Sequence, residues 1–254
     1  GMIPTDTTTS PDPVKITNYT ADYVVSEDGT LAAKEVITAE FPFGRHGIFR
    51  FWDLADPTDS QVRLTPDDVK VALDGDSVPY EMQWQNGRRY RVAKIGDPDS
   101  YVPPGSHEYT ITYTIKGALS PTSANPGRFA SSSWTDKQRA QSVFNWNVVA
   151  PGWQMDIQKA TIHITLPKPS GLVQCTSSFD GTGPCMITGA GTDSVTINAG
   201  PLAPRTPVTV RIGLPQPPPE RVTLPWPVAY DRVLGRSLPV AAGILALSVL
   251  ALAF

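Results

Sequence analysis

The chain has 254 residues and a formal charge of -3, with 26 prolines and 20 glycines scattered without a period. That length allows one large or two small domains with appendages. The scattered breakers exclude collagen and a coiled coil, and the near-balanced charge argues against a nucleic-acid surface.

Residues 1–13 are rich in Thr, Pro and Asp and read as a disordered tail. Gly1-Met2 is not a natural initiation, so the sequence reads as a fragment whose export signal, if it had one, has been removed. Asn18-Tyr19-Thr20 matches a glycosylation sequon, a pattern too short to mean much without its host. Tyr19, Ala21, Tyr23 and Val25 alternate, and Ser26-Glu27-Asp28-Gly29 makes a turn. Leu31, Ala33, Ile37, Ala39 and Phe41 keep the same period, broken by Glu35, so a hairpin is expected here. In the run from Phe43 to Leu54, FGRHGIFRFWDL, two glycines flank Arg45-His46. Val69, Val71 and Leu73 lead to an Asp74-Gly75 turn; Val78, Tyr80, Met82 and Trp84 then alternate up to Asn86-Gly87, the strongest hairpin signal in the chain. Arg88, Arg89 and Arg91 form the densest basic run and read as a solvated hairpin tip. After the breakers at 96–99 and 103–105, Tyr109, Ile111, Tyr113 and Ile115 face one way and Thr110, Thr112 and Thr114 the other. That is a half-buried strand.

Residues 118–142 are rich in Ser, Pro, Asn and Gly with no period, and read as a linker or a functional loop. Ala160, Ile162, Ile164 and Leu166 alternate, as do Val195 with Ile197 and Val208 with Val210 and Ile212. Cys175 and Cys185 bound a loop rich in Ser and Gly; they are either free thiols or a disulfide, and a disulfide would place the domain in an exported compartment. His163 lacks the paired spacing that would make a zinc site with them. Residues 215–237 form a Pro-rich stalk. Leu238 to Phe254 carries no charge and is apolar on every face, as expected of a transmembrane helix cut off by the end of the sequence. The expected architecture is all-β: an antiparallel immunoglobulin-like sandwich, with one lobe over 14–117 and a second over 143–214, packed together.

Three blocks occur in order: HGIFR at 46–50, KIGDPDSYVPPGSHEYTITYTIKGAL at 94–119, and FNWNVVAPGW followed by IQKATIHITLP at 144–167. Together they resemble the amino-terminal extracytoplasmic domain of the DUF2207 family of predicted bacterial membrane proteins, over roughly Ile16 to Leu214. The resemblance implies an exported β-rich domain, then a membrane helix, then segments this chain lacks. It implies location and architecture and carries over no catalytic residue or cofactor. Arg232 and Arg236 precede the apolar tail, and the positive-inside rule would put the domain in the cytoplasm; long translocated domains override that bias, so the expectation is the extracytoplasmic side of the cell membrane.

For chemistry, Arg45, His46 and Arg50 form one candidate, a clamp for an envelope phosphate or carboxylate. The blander reading is that the glycines make a bulge, Ile48 and Phe51 fill the core, and Arg50 pairs with a carboxylate. Trp134, Trp146 and Trp153 form another candidate, a face stacking on sugar rings; the alternative is core filling between lobes. Asp97, Asp99 and Glu108 mimic part of a calcium loop but lack its fifth-position ligand and central glycine, and turn formation explains the aspartates. No G-x-S-x-G, H-E-x-x-H or phosphate loop occurs. The expected role is a non-catalytic, membrane-tethered interaction or structural module without cofactor, its partners being the membrane and an envelope glycan or protein. A glycan- or anion-binding module is the alternative, and an envelope hydrolase is the weakest reading.

Overall fold

A computed structural model describes residues 12–133 and 139–224, together with 242, 243 and 245 of the tail. Strict alternation forms the first strands. In β1 (Lys15–Val25) and β2 (Leu31–Phe41), the apolar positions Tyr19, Ala21, Tyr23, Leu31, Ile37 and Phe41 are buried on one face, and the turn at Gly29 adopts a positive φ of 81°. Thr-rich β8 (Gly105–Ile115) lies beside β2 in register from Leu31↔Ile115 to Phe41↔Gly105 and buries Tyr109, Ile111, Tyr113 and Ile115.

The remaining strands in chain order are β3 (Ile48–Asp53), β4 (Pro66–Leu73), β5 (Asp76–Ser77), β6 (Tyr80–Gln85) and β7 (Tyr90–Ile95), then β9 (Leu119–Pro121), β10 (Ser131–Ser133) and β11 (Ser142–Val149). They are followed by β12 (Ala160–Thr165), β13 (Val173–Thr176), β14 (Met186–Thr188), β15 (Ser194–Ala199) and β16 (Val208–Leu214). Three sheets result: eight strands in the order β14-β15-β12-β1-β2-β8-β4-β5, five in the order β10-β13-β16-β11-β9, and three in the order β3-β7-β6. The Asn86-Gly87 turn between β6 and β7 has both residues at positive φ, 50° and 60°, the twist that a two-residue hairpin loop requires.

The all-β expectation holds among the described strands. The expectation of a purely antiparallel body is corrected: β1 and β12 run parallel, Tyr19 opposite Ala160 through Val24 opposite Thr165. The physical reason is the long crossover between them, since parallel strands need a long connection and over 130 residues separate these two. Three sheets stand where a two-sheet immunoglobulin-like sandwich is expected. Strands from 14–117 and from 143–214 share the eight-stranded sheet, so sheet membership does not follow the expected lobes. The stretch 118–142 contributes β9 and β10, three residues each, too short to show a period.

One continuous hydrophobic core unites the layers, drawing Ile16, Tyr109 and Ile111 from the large sheet, Trp52 and Ile95 from the small one, and Phe144 and Val210 from the third. Gly47 and Gly96 let the chain pass close at the start of the small sheet: a Cβ on Gly47 would sit 1.8 Å from the Ile95 carbonyl oxygen, and one on Gly96 2.0 Å from that of His46. Cys175 and Cys185 form a disulfide, with Cα atoms 6.2 Å apart. Ala242, Gly243 and Leu245 are helical, and no helix among the described residues is long and apolar enough to cross a membrane. Leu238 and Phe254, the ends of the expected transmembrane segment, lie outside the described residues.

Candidate functional site: a groove over a buried ion pair

Alternation along β3 sends Ile48, Arg50 and Trp52 inward and Phe49 and Asp53 outward, while Phe51, expected in the core, is only half-buried. A buried guanidinium needs a partner, and it finds one in Glu35 of β2, the residue that breaks the apolar pattern there. Arg50 Nε donates to Glu35 Oε2 at 2.8 Å and Nη2 to Oε1 at 2.6 Å, a bidentate pair between side chains 4% and 0% exposed. The Tyr113 hydroxyl donates to Glu35 Oε1 at 2.6 Å and accepts from Arg50 Nη2 at 3.2 Å. The Tyr23 hydroxyl lies 3.4 Å from Glu35 Oε1 and 3.1 Å from the Val148 carbonyl of the five-stranded sheet. Arg50 also donates through Nη1 to the Phe51 carbonyl, and its Cζ stands 4.6 Å from the Trp52 ring centroid and 5.7 Å from that of Trp153. Burial disfavours the Arg50 cation, but the Glu35 carboxylate outweighs it and raises the guanidinium's pKa above its ordinary value. Burial first, then the Glu35 charge, pushes the Tyr113 hydroxyl's pKa up, so the phenol stays protonated and donates.

Above this pair opens a cleft of about 550 Å3, with Arg50, Trp52 and Tyr113 toward the core and Asp53, Arg89 and Trp146 among its other walls. Its acids are committed. Asp53 pairs with Arg89 at 2.9 Å, and Asp56 pairs with Arg221 at 2.5 Å while its Oδ1 accepts from the Thr58 N–H and hydroxyl. Burial works against ionisation of Asp56, yet the Arg221 and Thr58 hydrogen bonds hold its carboxyl below the usual range. Along the opposite wall, Asn125 donates to Asn145 at 3.1 Å and Thr209 to Asn147 at 2.7 Å. A second cleft of about 210 Å3 shares Asn125, Asn147 and Thr209 with the first and continues to Phe179 in the disulfide loop. The two form one groove over β11 and β16, interior strands of the five-stranded sheet.

Of the residues expected to bind, Arg50 and Trp146 line this groove. Trp153 is buried beside Arg50 and meets Tyr19 edge-on at 6.0 Å. Arg45 and His46 lie at the far end of β3, where Arg45 pairs with Asp12 at 2.8 Å and His46 Nδ1 contacts the Ser100 carbonyl at 2.7 Å. The structure therefore does not bring Arg45 and His46 together with Arg50. Trp134 lies outside the described residues. Asp97 caps its own turn, accepting from the Asp99 N–H at 2.9 Å and the Ser100 hydroxyl at 3.1 Å. No cluster of three His, Cys, Asp or Glu placed to hold a metal occurs among the described residues. In the sequence Glu35 reads only as a break in an apolar face and Arg89 only as part of a solvated hairpin tip, while Asp53 and the three asparagines carry no signal; the lone acid inside an alternating apolar strand was the one available pointer.

The family model described as the amino-terminal domain of a predicted membrane protein (DUF2207) matches residues 15–214. The chain belongs to the DUF2207 family. Its matched span runs from the first residue of β1 to the last of β16, so the family domain is the whole three-sheet body. No curated protein matches the sequence. Among solved structures, this DUF2207 domain is similar to yeast leukotriene A4 hydrolase in complex with bestatin, at 10% identity and a TM-score of 0.48, covering 79% of this chain and 28% of that one. It is also similar to an M1 zinc metallopeptidase from Deinococcus radiodurans, at 15% identity and a TM-score of 0.40, covering 79% of this chain and 42% of that one. The chain spans less than half the length of each of these structures.

Proposed function

We propose that this DUF2207 domain is a non-catalytic binding module, held on the extracytoplasmic face of a membrane by the apolar run Leu238–Phe254. One observation carries the non-catalytic reading: the carboxylates in and under the groove, Glu35, Asp53 and Asp56, are each engaged by a guanidinium. Acids neutralised in this way shape and rigidify a surface; a general acid or base needs a carboxyl open to a substrate proton. The membrane reading is supported by the family's description and by the apolar run. The Cys175–Cys185 disulfide supports an oxidising compartment.

A second reading names the ligand as an envelope glycan. It is favoured by the run of Asn125, Asn145 and Asn147 beside the half-buried Trp146, since amides bond sugar hydroxyls and an indole face packs on a pyranose ring. An anion is favoured less, because Arg50, Arg89 and Arg221 already hold carboxylates, which leaves Arg63 as the guanidinium among the described lining residues without one.

The test passes purified envelope polysaccharide over the immobilised full chain, with mass spectrometry of the eluted glycan. Retention lost in Trp146→Ala, with the glycan eluting unchanged, supports binding without reaction. Shortened or deacylated glycan would overturn the non-catalytic reading, and retention indifferent to Trp146→Ala would remove the groove as its site.

A further inference from the structure

The tip of the β6–β7 hairpin combines an indole and two guanidinium groups. Trp84 is 46% exposed, with Arg91 Cζ 4.4 Å and Arg88 Cζ 5.6 Å from its ring centroid. Among the described residues no carboxylate lies within ion-pair distance of Arg88, Arg91 or the neighbouring Arg63. Such a cluster can be bland, an aromatic ring shielded by two arginine stems. Its position in the fold argues for more.

The chain leaves the body along the same edge. The Leu54 N–H donates to the Arg89 carbonyl beside the tip, and the Leu64 N–H donates to the Leu54 carbonyl. The Arg63 N–H then reaches the Val222 carbonyl, and the Leu224 N–H the Gln61 carbonyl. A ladder of backbone hydrogen bonds thus joins the hairpin tip to the last described residues before the tail. Each step from 222 to 224 moves along exposed Gln61, away from buried Leu64. The apolar run begins at Leu238, separated from Leu224 by residues 225–237, so the described chain departs toward the tether from this edge.

The charge on the edge is matched to an anionic surface. Asp53 and Asp56 are spent on Arg89 and Arg221, and Asp59 accepts the Gln61 N–H of its own turn at 3.0 Å. Asp59 and Glu220 are the acids there without an ion-pair partner among the described residues, against Arg63, Arg88 and Arg91, which leaves the edge net positive. Trp at the headgroup level with Arg beside it is the residue pairing that water–lipid interfaces favour, the ring spanning the apolar–polar boundary and the cations meeting phosphate.

We propose that this edge is the membrane-facing surface of the domain, with Trp84, Arg88 and Arg91 seated among anionic phospholipid headgroups. The inference rests on the reading of Leu238–Phe254 as the anchor. It adds an orientation: the groove, which reaches this edge through Arg63 and Arg89, lies beside the bilayer, and the Phe43–Tyr101 corner at the other end of β3 points away from it.

The test uses the full chain labelled through Asn86→Cys with a fluorophore and reconstituted into vesicles carrying a headgroup quencher. One vesicle is phosphatidylcholine alone, the other phosphatidylcholine with phosphatidylglycerol. Quenching at Asn86→Cys is expected to be at least about threefold stronger in the anionic vesicles and to fall to the neutral level at high salt. The variant Trp84→Ala/Arg88→Ala/Arg91→Ala is expected to lose the difference, and a label at Tyr101→Cys to stay unquenched throughout. If the chain floats with the vesicles yet the Asn86→Cys label is unquenched, or quenched no more than the Tyr101→Cys label, the orientation is wrong and the anchor stands. If the chain does not float with either vesicle, anchor and orientation both fall.

Discussion

Replacing Glu35 by Gln keeps the side-chain volume and removes one charge from the middle of the molecule. Arg50 would keep its donation to the Phe51 carbonyl and its Tyr113 contact, but would lose the carboxylate that takes two of its donors at 2.8 and 2.6 Å. With the pair 0% and 4% exposed, the cation has little access to water as it stands. Removing one partner of such a pair costs about 3–5 kcal/mol, chiefly as the desolvation of the charge left behind. For a body of this size each kcal/mol moves Tm by about 2–4 °C, so a fall of roughly 6–20 °C is expected. Urea unfolding followed by tryptophan fluorescence would show a lower midpoint at unchanged slope. The double replacement Glu35→Leu/Arg50→Met is expected to return to within about 1 kcal/mol of the parent or exceed it, because two buried charges leave together. A Glu35→Gln loss under about 1 kcal/mol, or a double variant as weak as the sum of the singles, would refute the reasoning.

Gly47→Ala would drive a Cβ into the Ile95 carbonyl at a φ of 154°, and Gly96→Ala would meet the His46 carbonyl; each is expected to cost more than about 2 kcal/mol in the same unfolding assay. Reducing the Cys175–Cys185 bridge, which spans 10 residues, is expected to cost about 3 kcal/mol, read as a lower midpoint with dithiothreitol and no effect of dithiothreitol on Cys175→Ser/Cys185→Ser. His107 donates to Asp74 at 2.6 Å, and that hydrogen bond raises its pKa above the ordinary imidazole value against a smaller opposing effect of burial. Because the folded value is the higher one, the contribution is complete below about pH 6.5 and fades as pH rises through the raised value. The pair is partly exposed, so the fade is expected to stay under about 1 kcal/mol and to vanish in His107→Gln.

Local pattern showed in the sequence wherever a strand has one apolar face and wherever a turn is two residues long. The Tyr19–Val25 and Tyr109–Ile115 alternations fix which faces are buried, and Asn86-Gly87 fixes a hairpin, because backbone geometry alone decides both. Partners far along the chain were not legible. Period two says which side of β12 is apolar, but nothing in it selects the parallel β1 neighbour. Glu35 reads as a break in a face until β3, from another sheet, lays Arg50 against it. The groove is assembled from β3, the 54–64 segment, Asn125 and β11, and no one of these carries a motif alone. Trp146 was visible as an aromatic; the asparagines around it were not, since isolated amides in strands and loops look like solvated surface.

The central claim is that this body holds a ligand in the groove and leaves it unchanged. Hydrogen–deuterium exchange on the full chain, with and without envelope glycan, tests it most directly. Slower exchange over residues 49–64 and 142–149, with the glycan recovered intact, is the predicted result. Protection confined to residues 43–46 and 99–102, or a glycan recovered in pieces, would contradict it.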